Sequence, residues 1–205
     1  MIDTAKQVTS GTGSDTVAFT PSDVPSVTPS VVAPSPVPAS GAPTAVGSSF
    51  PAVTAADLSD LRSHSLVIPV EGVTADKLID SFDEFRGGTR RHEAIDIMSP
   101  RGTRVQSADA GRVLKLHNSV AGGLSIYVAD PTQRFIILYA HLDHYRPGLA
   151  EGTAVKKGEL LGFVGSTGNA SPSAPHLHFA IARSDNQKEW WKGTPLNPFL
   201  IYRGK

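Results

Sequence analysis

The sequence contains no cysteine, no long hydrophobic run and no excess of charge of either sign. Without cysteine there is no disulfide and no thiolate metal site, so a metal ion would have to be held by histidine and carboxylate side chains. No run of about 18 apolar residues is present, and we therefore expect no transmembrane segment. The 19 basic and 19 acidic residues balance, and no Lys/Arg run occurs, so nucleic acid is not an expected partner.

The N-terminal quarter of the chain has the composition of a linker. Residues 1–51 are rich in Ser, Thr, Pro, Val, Ala and Gly, and eight of the 16 prolines lie between Pro21 and Pro51. The segment has no helical or strand periodicity and little apolar surface to bury, so we predict that it is disordered. The first four residues lack the basic start and apolar core of a signal peptide.

We expect one folded domain over residues 52–205. Thr54 followed by Asp57 predicts a capped helix. Residues 66–70 predict a strand that Pro69 restricts to an edge or an end, and a short helix is expected within residues 74–85. From Gly88 onwards, short apolar runs alternate with Gly, Pro, Asn and Asp turns. This pattern predicts a mainly β fold, an antiparallel sandwich or barrel with short helices. The expected strands are residues 95–97, 104–106, 111–117, 124–128, 135–141, 160–164 and 176–182.

Two histidines share one face of the last of these strands. Side chains alternate between faces along a strand, so His176 and His178 point one way, while Leu177, Phe179 and Ile181 point the other way. The apolar face can pack into the core. The two imidazoles would then face a cleft.

A second histidine motif lies near the start of the domain. If residues 92–96 are extended, His92, Ala94 and Asp96 share a face, and the small Ala94 leaves room for a metal ion between the other two. A further histidine, His141, closes an apolar strand. Each motif alone is also compatible with ordinary exposed histidines, but their occurrence together in one small β domain favours a site.

Taken together, these motifs resemble the lysostaphin-like (LytM-type) zinc metallopeptidases. The resemblance covers residues 66–200 approximately and rests on the order of His92-x3-Asp96, Tyr139-Ala140-His141-Leu142 and His176-x-His178. Glycine landmarks agree with it: Gly102-Thr103-x-Val105, Asp109-Ala110-Gly111-x-Val113, Gly152-x-x-Val155-x-x-Gly158 and Gly162-x-x-Gly165-x-Thr167-Gly168.

The resemblance implies a function and a role for each site residue. His92, Asp96 and His178 would hold Zn²⁺, and His141 and His176 would be the catalytic pair. The implied activity is endopeptidase cleavage of bacterial cell-wall peptidoglycan, in glycine bridges or in peptide crosslinks, at an extracytoplasmic location. Ala94 departs from the glycine that the family often has between the first histidine and the aspartate.

Two other interpretations use the same fold or a related one. One is a non-catalytic cell-wall module that activates an amidase, which only an activity measurement would separate from a peptidase. The other is a carrier domain of the biotinyl or lipoyl type, because residues 152–161 look like the hairpin of such sandwiches. A carrier, however, has no need of the His92-x3-Asp96 motif and would bind no stoichiometric zinc.

Overall fold

The computed structural model describes residues 52–203, so the linker predicted over residues 1–51 lies outside the described residues. It contains two α-helices, α1 (Ala55–Ser63) and α2 (Phe199–Tyr202), and two 3₁₀ turns, Ala75–Lys77 and Gln187–Glu189. The strands are β1 (Phe85–Arg86), β2 (Arg90–Arg91), β3 (Ile95–Met98), β4 (Arg104–Gln106), β5 (Gly111–Ser119), β6 (Gly123–Ala129), β7 (Phe135–Tyr145), β8 (Ala154–Val155), β9 (Leu160–Val164), β10 (His176–Arg183) and β11 (Thr194–Leu196).

The mainly β prediction is confirmed. Each strand expected after Gly88 is present, and the longest, β7, runs on beyond His141 to Tyr145. Nine strands form one antiparallel sheet, and β1 and β2 form a separate hairpin. Within residues 52–203, no helix is long and apolar enough to cross a membrane.

The position of β10 in the sheet determines where the histidines lie. One edge of β10 pairs with β7, and the other edge pairs first with β3 and then with β11. Beyond Ala140, β7 leaves β10 and pairs with β9. The start of β10 therefore lies between β3 and the middle of β7, beside the point where β7 changes partner.

The core lies on one face of these strands. The predicted alternation along β10 is confirmed, since Leu177, Phe179 and Ile181 are fully buried. Tyr139 on β7 is also fully buried, and its hydroxyl accepts a hydrogen bond from the Ala108 backbone N–H at 2.8 Å. With its apolar side buried here, β10 leaves the other face free for its two histidines.

Before Gly88, one predicted element is absent and another is shorter than the range in which it was expected. Residues 66–70 form no strand, because only Val70 bridges β4, through Val105, and Pro69 has no N–H to donate to a ladder. The helix expected over residues 74–85 is reduced to the 3₁₀ turn Ala75–Lys77, since Leu78 adopts an extended conformation, with its side chain buried.

Helix α1 is joined to the sheet through Asp57, the acidic residue of its capping box. As predicted, Thr54 is the N-cap, and Thr54 and Asp57 form a capping box. Asp57 is buried and also pairs with Arg134 on the β6–β7 turn at 2.7 Å and with Arg183 on β10 at 3.2 Å. One carboxylate thus both caps the helix and joins it to β10.

We expect Asp57→Asn to lower the free energy of unfolding by about 2–3 kcal/mol, because the two arginines lose their anion. The matched control is Asp60→Asn, since Asp60 pairs with one arginine, Arg134, and more distantly with His64 at 3.8 Å, and its side chain is 31% exposed. That control should cost less than about 1 kcal/mol. Urea unfolding at pH 7 measures both variants, and equal stabilities would contradict the assignment.

The pH dependence of the same variant gives a second measurement. Burial raises the pKa of Asp57, but hydrogen bonds from Thr54 and the charges of Arg183 and Arg134 outweigh it, so the pKa lies below its ordinary value. Below a pH of about 4 the unfolded chain therefore binds more protons at this residue than the folded chain. The stability difference between wild type and Asp57→Asn should be constant above that pH and shrink as pH falls further.

Candidate metal and catalytic site

Three neighbouring strands bring the predicted site residues together. In the register of β10, His178 lies opposite Asp96 of β3 on one side and opposite Ala140 of β7 on the other. His176 precedes His178 by two residues on the same face of β10, and His141 follows Ala140 directly. The arrangement follows from antiparallel pairing of strands that are distant in sequence.

His92 reaches this cluster from a loop. The extended conformation considered for residues 92–96 does not occur, because β3 begins only at Ile95 and Glu93 has a left-handed φ of 57°. The chain turns at Glu93, an uncommon conformation for a residue with a side chain. Ala94 is fully buried behind the turn. His92 Nε2 consequently lies 3.0 Å from Asp96 Oδ1.

His92, Asp96 and His178 have the geometry of a metal-ligand set. His178 Nδ1 lies 3.0 Å from His92 Nε2 and 3.3 Å from Asp96 Oδ1. Asp96 Oδ1 is buried and, among residues 52–203, has no hydrogen-bond partner of good geometry. A buried, unpaired carboxylate oxygen is costly unless something binds it. Two imidazole nitrogens and a carboxylate oxygen are a donor set that suits Zn²⁺.

The outer contacts of these residues orient them for a cation. His92 Nδ1 lies 3.1 Å from the Ser81 carbonyl and 3.1 Å from Arg86 Nη2. The carbonyl can only accept and the guanidinium can only donate, so Nδ1 can satisfy one of them. Donation from Nδ1–H to Ser81 leaves the lone pair of Nε2 for a metal ion. Arg86 Nη2 also donates to Asp96 Oδ2 at 2.9 Å, and Oδ1 remains for the ion.

His141 and His176 form a second pair beside the first set. Their ring centroids are 5.0 Å apart, and each Nδ1 lies within hydrogen-bond distance of a backbone carbonyl, that of Thr167 for His141 at 2.8 Å and that of Ala174 for His176 at 2.9 Å. Carbonyls only accept, so both rings carry the proton on Nδ1 when neutral. Their Nε2 atoms are then free to accept a proton.

The electrostatics keep the carboxylate charged and two of the imidazoles neutral. Burial raises the pKa of Asp96, but its contacts with His178 and His92 outweigh this, and the pKa lies far below its ordinary value. Burial lowers the pKa of His178 and of His141 despite the opposing effects of Asp96 and of the Thr167 carbonyl, respectively. An ionised Asp96 and a neutral His178 are the forms that bind a metal ion.

The loop between β9 and β10 is held against this site by close backbone packing. Thr167 Oγ1 donates to the Leu142 carbonyl at 2.7 Å and accepts from the Leu124 N–H at 2.9 Å. Gly123 and Gly168 both have positive φ, and a Cβ on either one would overlap the backbone of the other's segment. The Thr167 carbonyl that bonds His141 is therefore fixed from several sides. His141 itself has φ 60°, a strained value for a residue with a side chain.

All five predicted residues line one groove of about 870 Å³. Its other walls come from the β1–β2 hairpin, β5, β6 and the β9–β10 loop. The remaining lining residues are Arg86, Arg90, Met98, Ser119, Ala121, Gly122, Ser125, Tyr127, Leu138, Ala140, Asn169, Ala170, Ser171 and Ala174.

The residues that orient the site were not predicted from the sequence. Ser81 acts through its backbone carbonyl, which leaves no signature in a sequence. Arg86 stands before Gly87-Gly88, between the predicted helix and the first predicted strand of the sheet. Thr167 was noted only as part of a glycine-rich landmark.

Comparison with known proteins decides the family. Residues 90–198, more than half of the chain, match the profile of peptidase family M23. The chain belongs to this family. The M23 match covers β3 to β11 and all five residues of the predicted site. The carrier interpretation is thereby left without support.

Similar proteins include other members from bacteria. The chain is 30% identical over 138 residues to the L-Ala--D-Glu endopeptidase of Bacillus subtilis, covering 64% of this chain and 41% of that protein. It is 33% identical over 108 residues to the uncharacterized lipoprotein YgeR of Escherichia coli, covering 53% and 40%. The structure of Helicobacter pylori Csd3 aligns with TM-score 0.52 and 28% identity over 68% of this chain and 33% of that one. The chain thus spans less than half the length of these three proteins.

Proposed function

We propose that this M23 domain is a zinc-dependent endopeptidase acting on peptides of bacterial peptidoglycan. The observation that carries the proposal is the partly buried cluster of His92 Nε2, Asp96 Oδ1 and His178 Nδ1, in which the carboxylate oxygen forms no hydrogen bond within residues 52–203. Three protein ligands in an open groove are typical of catalytic rather than structural zinc. The catalytic domain would comprise residues 52–205.

Zinc bound there would supply a water molecule of lowered pKa and polarise the carbonyl of the scissile peptide bond. The other two histidines would handle the proton. His176 Nε2 lies 3.8 Å from Asp96 Oδ1, next to the ligand atoms, where a neutral imidazole can accept a proton from the attacking water. His141, held by the Thr167 carbonyl, would share the proton transfer and, once protonated on Nε2, would stabilise negative charge on the carbonyl oxygen.

The substrate and the location follow from similarity. A relative named an L-Ala--D-Glu endopeptidase cleaves, by its name, a peptide bond to D-glutamate, and D-amino acids are typical of cell-wall peptides. Another relative is named a lipoprotein. These names support a peptidoglycan peptide as the partner of this chain and an extracytoplasmic location.

The first test is metal content together with product analysis. We expect the purified chain to bind one equivalent of zinc and to release new peptide termini from purified peptidoglycan, detected by mass spectrometry. A chelator should abolish release, and added zinc should restore it. Zinc content well below one equivalent after supplementation would contradict the ligand set.

The same experiment addresses the amidase-activator alternative. An activator would give no products alone but would increase the products of an added amidase. A chain that binds one zinc, cleaves nothing and stimulates an amidase would contradict the endopeptidase proposal while leaving the metal site in place.

A further inference from the structure

The β1–β2 hairpin brings two arginines to the groove, and they differ in their contacts. Arg86 is engaged, since its Nη2 donates to Asp96 Oδ2 at 2.9 Å and to Glu84 Oε2 at 3.1 Å. Arg90 is exposed, and within residues 52–203 it forms no ion pair with an acidic side chain. Its guanidinium makes one long contact, 3.5 Å from the Arg91 carbonyl. Its hydrogen-bonding capacity is therefore largely unused.

The charges of the groove leave Arg90 without compensation. Among the lining residues, the permanently or readily ionised side chains are Arg86, Arg90 and Asp96, and the others are neutral or histidine. The carboxylate of Asp96 is already matched by Arg86. The groove thus has one surplus positive charge at the hairpin end, in addition to any charge brought by a metal ion.

We propose that Arg90 forms a carboxylate-binding subsite, which makes the preferred substrate a stem peptide with a free carboxylate rather than an uncharged glycine bridge. A guanidinium binds a carboxylate through two parallel hydrogen bonds, and a partly enclosed groove strengthens them. Arg90 stands two residues before His92, so their Cα atoms lie within about 7 Å. The subsite then lies in the same groove as the proposed metal ligands, close to His92. This inference rests on the proposed function.

Arg91, the next residue in the hairpin, has structural contacts and lies outside the groove. Arg91 forms an ion pair with Asp83, and its guanidinium lies 5.8 Å from the centre of the Phe85 ring. Arg91 is not among the groove residues. It has the same charge and adjoins Arg90 in β2, and it therefore serves as the matched control.

The test uses crosslinked muropeptides prepared from one batch of peptidoglycan, with carboxylates either left free or converted to carboxamides. This pair preserves every peptide bond, whichever one is cut. The zinc-loaded full chain should cleave the free acid with kcat/KM about 10–100-fold above that for the amide. Arg90→Gln should bring this ratio close to one, mainly through KM. Arg90→Lys should give an intermediate ratio, because lysine keeps the charge but not the paired hydrogen bonds. Arg91→Gln should keep the wild-type ratio.

The outcomes separate this subsite from the proposed activity. A wild-type ratio near one, or a wild-type ratio retained in Arg90→Gln, overturns the subsite while leaving the peptidase intact. If the wild type cleaves neither substrate, the activity is wrong, and calorimetric binding of the same two muropeptides decides the subsite. Tighter binding of the free acid that disappears in Arg90→Gln supports it, and equal binding of both forms overturns it.

Discussion

His178→Ala should lose both zinc and activity. The substitution removes one of three ligands and leaves the carboxylate of Asp96 and His92 to hold the ion alone. Loss of an outer contact to a ligand typically costs about 10–100-fold in metal affinity, and loss of a ligand itself should cost more. Peptide release should fall to the level of chelator-treated wild type. Competition with a chromophoric chelator gives the zinc affinity, and circular dichroism confirms that the fold is retained.

The control for this variant is another histidine of the same sheet. His144 on β7 is 55% exposed, stacks on Phe163 and does not line the groove. His144→Ala should bind zinc and cleave peptide as the wild type does. Wild-type zinc affinity in His178→Ala would remove this residue from the ligand set.

His176→Ala should keep zinc and lose turnover, although it lies on the same face of β10 as His178. General acid–base groups contribute about 10²–10⁴-fold, and kcat should fall by that amount. His141 is better replaced by Asn, because Asn tolerates the positive φ of 60° that Ala would adopt at a cost. His141→Asn should behave like His176→Ala, with unchanged zinc content and reduced kcat.

Zinc content plotted against kcat for these variants distinguishes the two roles. Loss of zinc in His176→Ala with retention in His178→Ala would exchange their assignments. Normal turnover in His141→Asn would place His141 outside the chemistry and leave His176 as the single proton acceptor of the pair.

The sequence was most informative where periodicity alone determines structure. Alternation in residues 176–181 correctly assigned the buried and the open faces of β10, because strand side chains alternate strictly. The ligand set, in contrast, came from family resemblance. His92 and His178 are 86 residues apart, and nothing local in either segment specifies that they meet.

The errors have physical causes of the same kind. An extended segment 92–96 would place His92 and Asp96 on one face, but the chain turns at Glu93 and still brings the two side chains into contact. The apolar run 66–70 contacts β4 and buries Leu66 and Val70, yet Pro69 prevents a regular ladder. A run of apolar residues predicts that their side chains are buried, but buried residues need not form a strand.

The central place of β10 also affects the order in which the domain folds. His92 and Asp96 are close in sequence, whereas His178 lies near the end of the domain and joins them only when β10 has paired with β3 and β7. Such long-range pairing forms late and slowly. A nascent chain that ends before residue 178 cannot have the full ligand set. Zinc would therefore bind, and stabilise, the completely folded domain in preference to such a chain. At a free zinc concentration of 100 times the Kd, binding would add about 2.7 kcal/mol to the free energy of unfolding of that state.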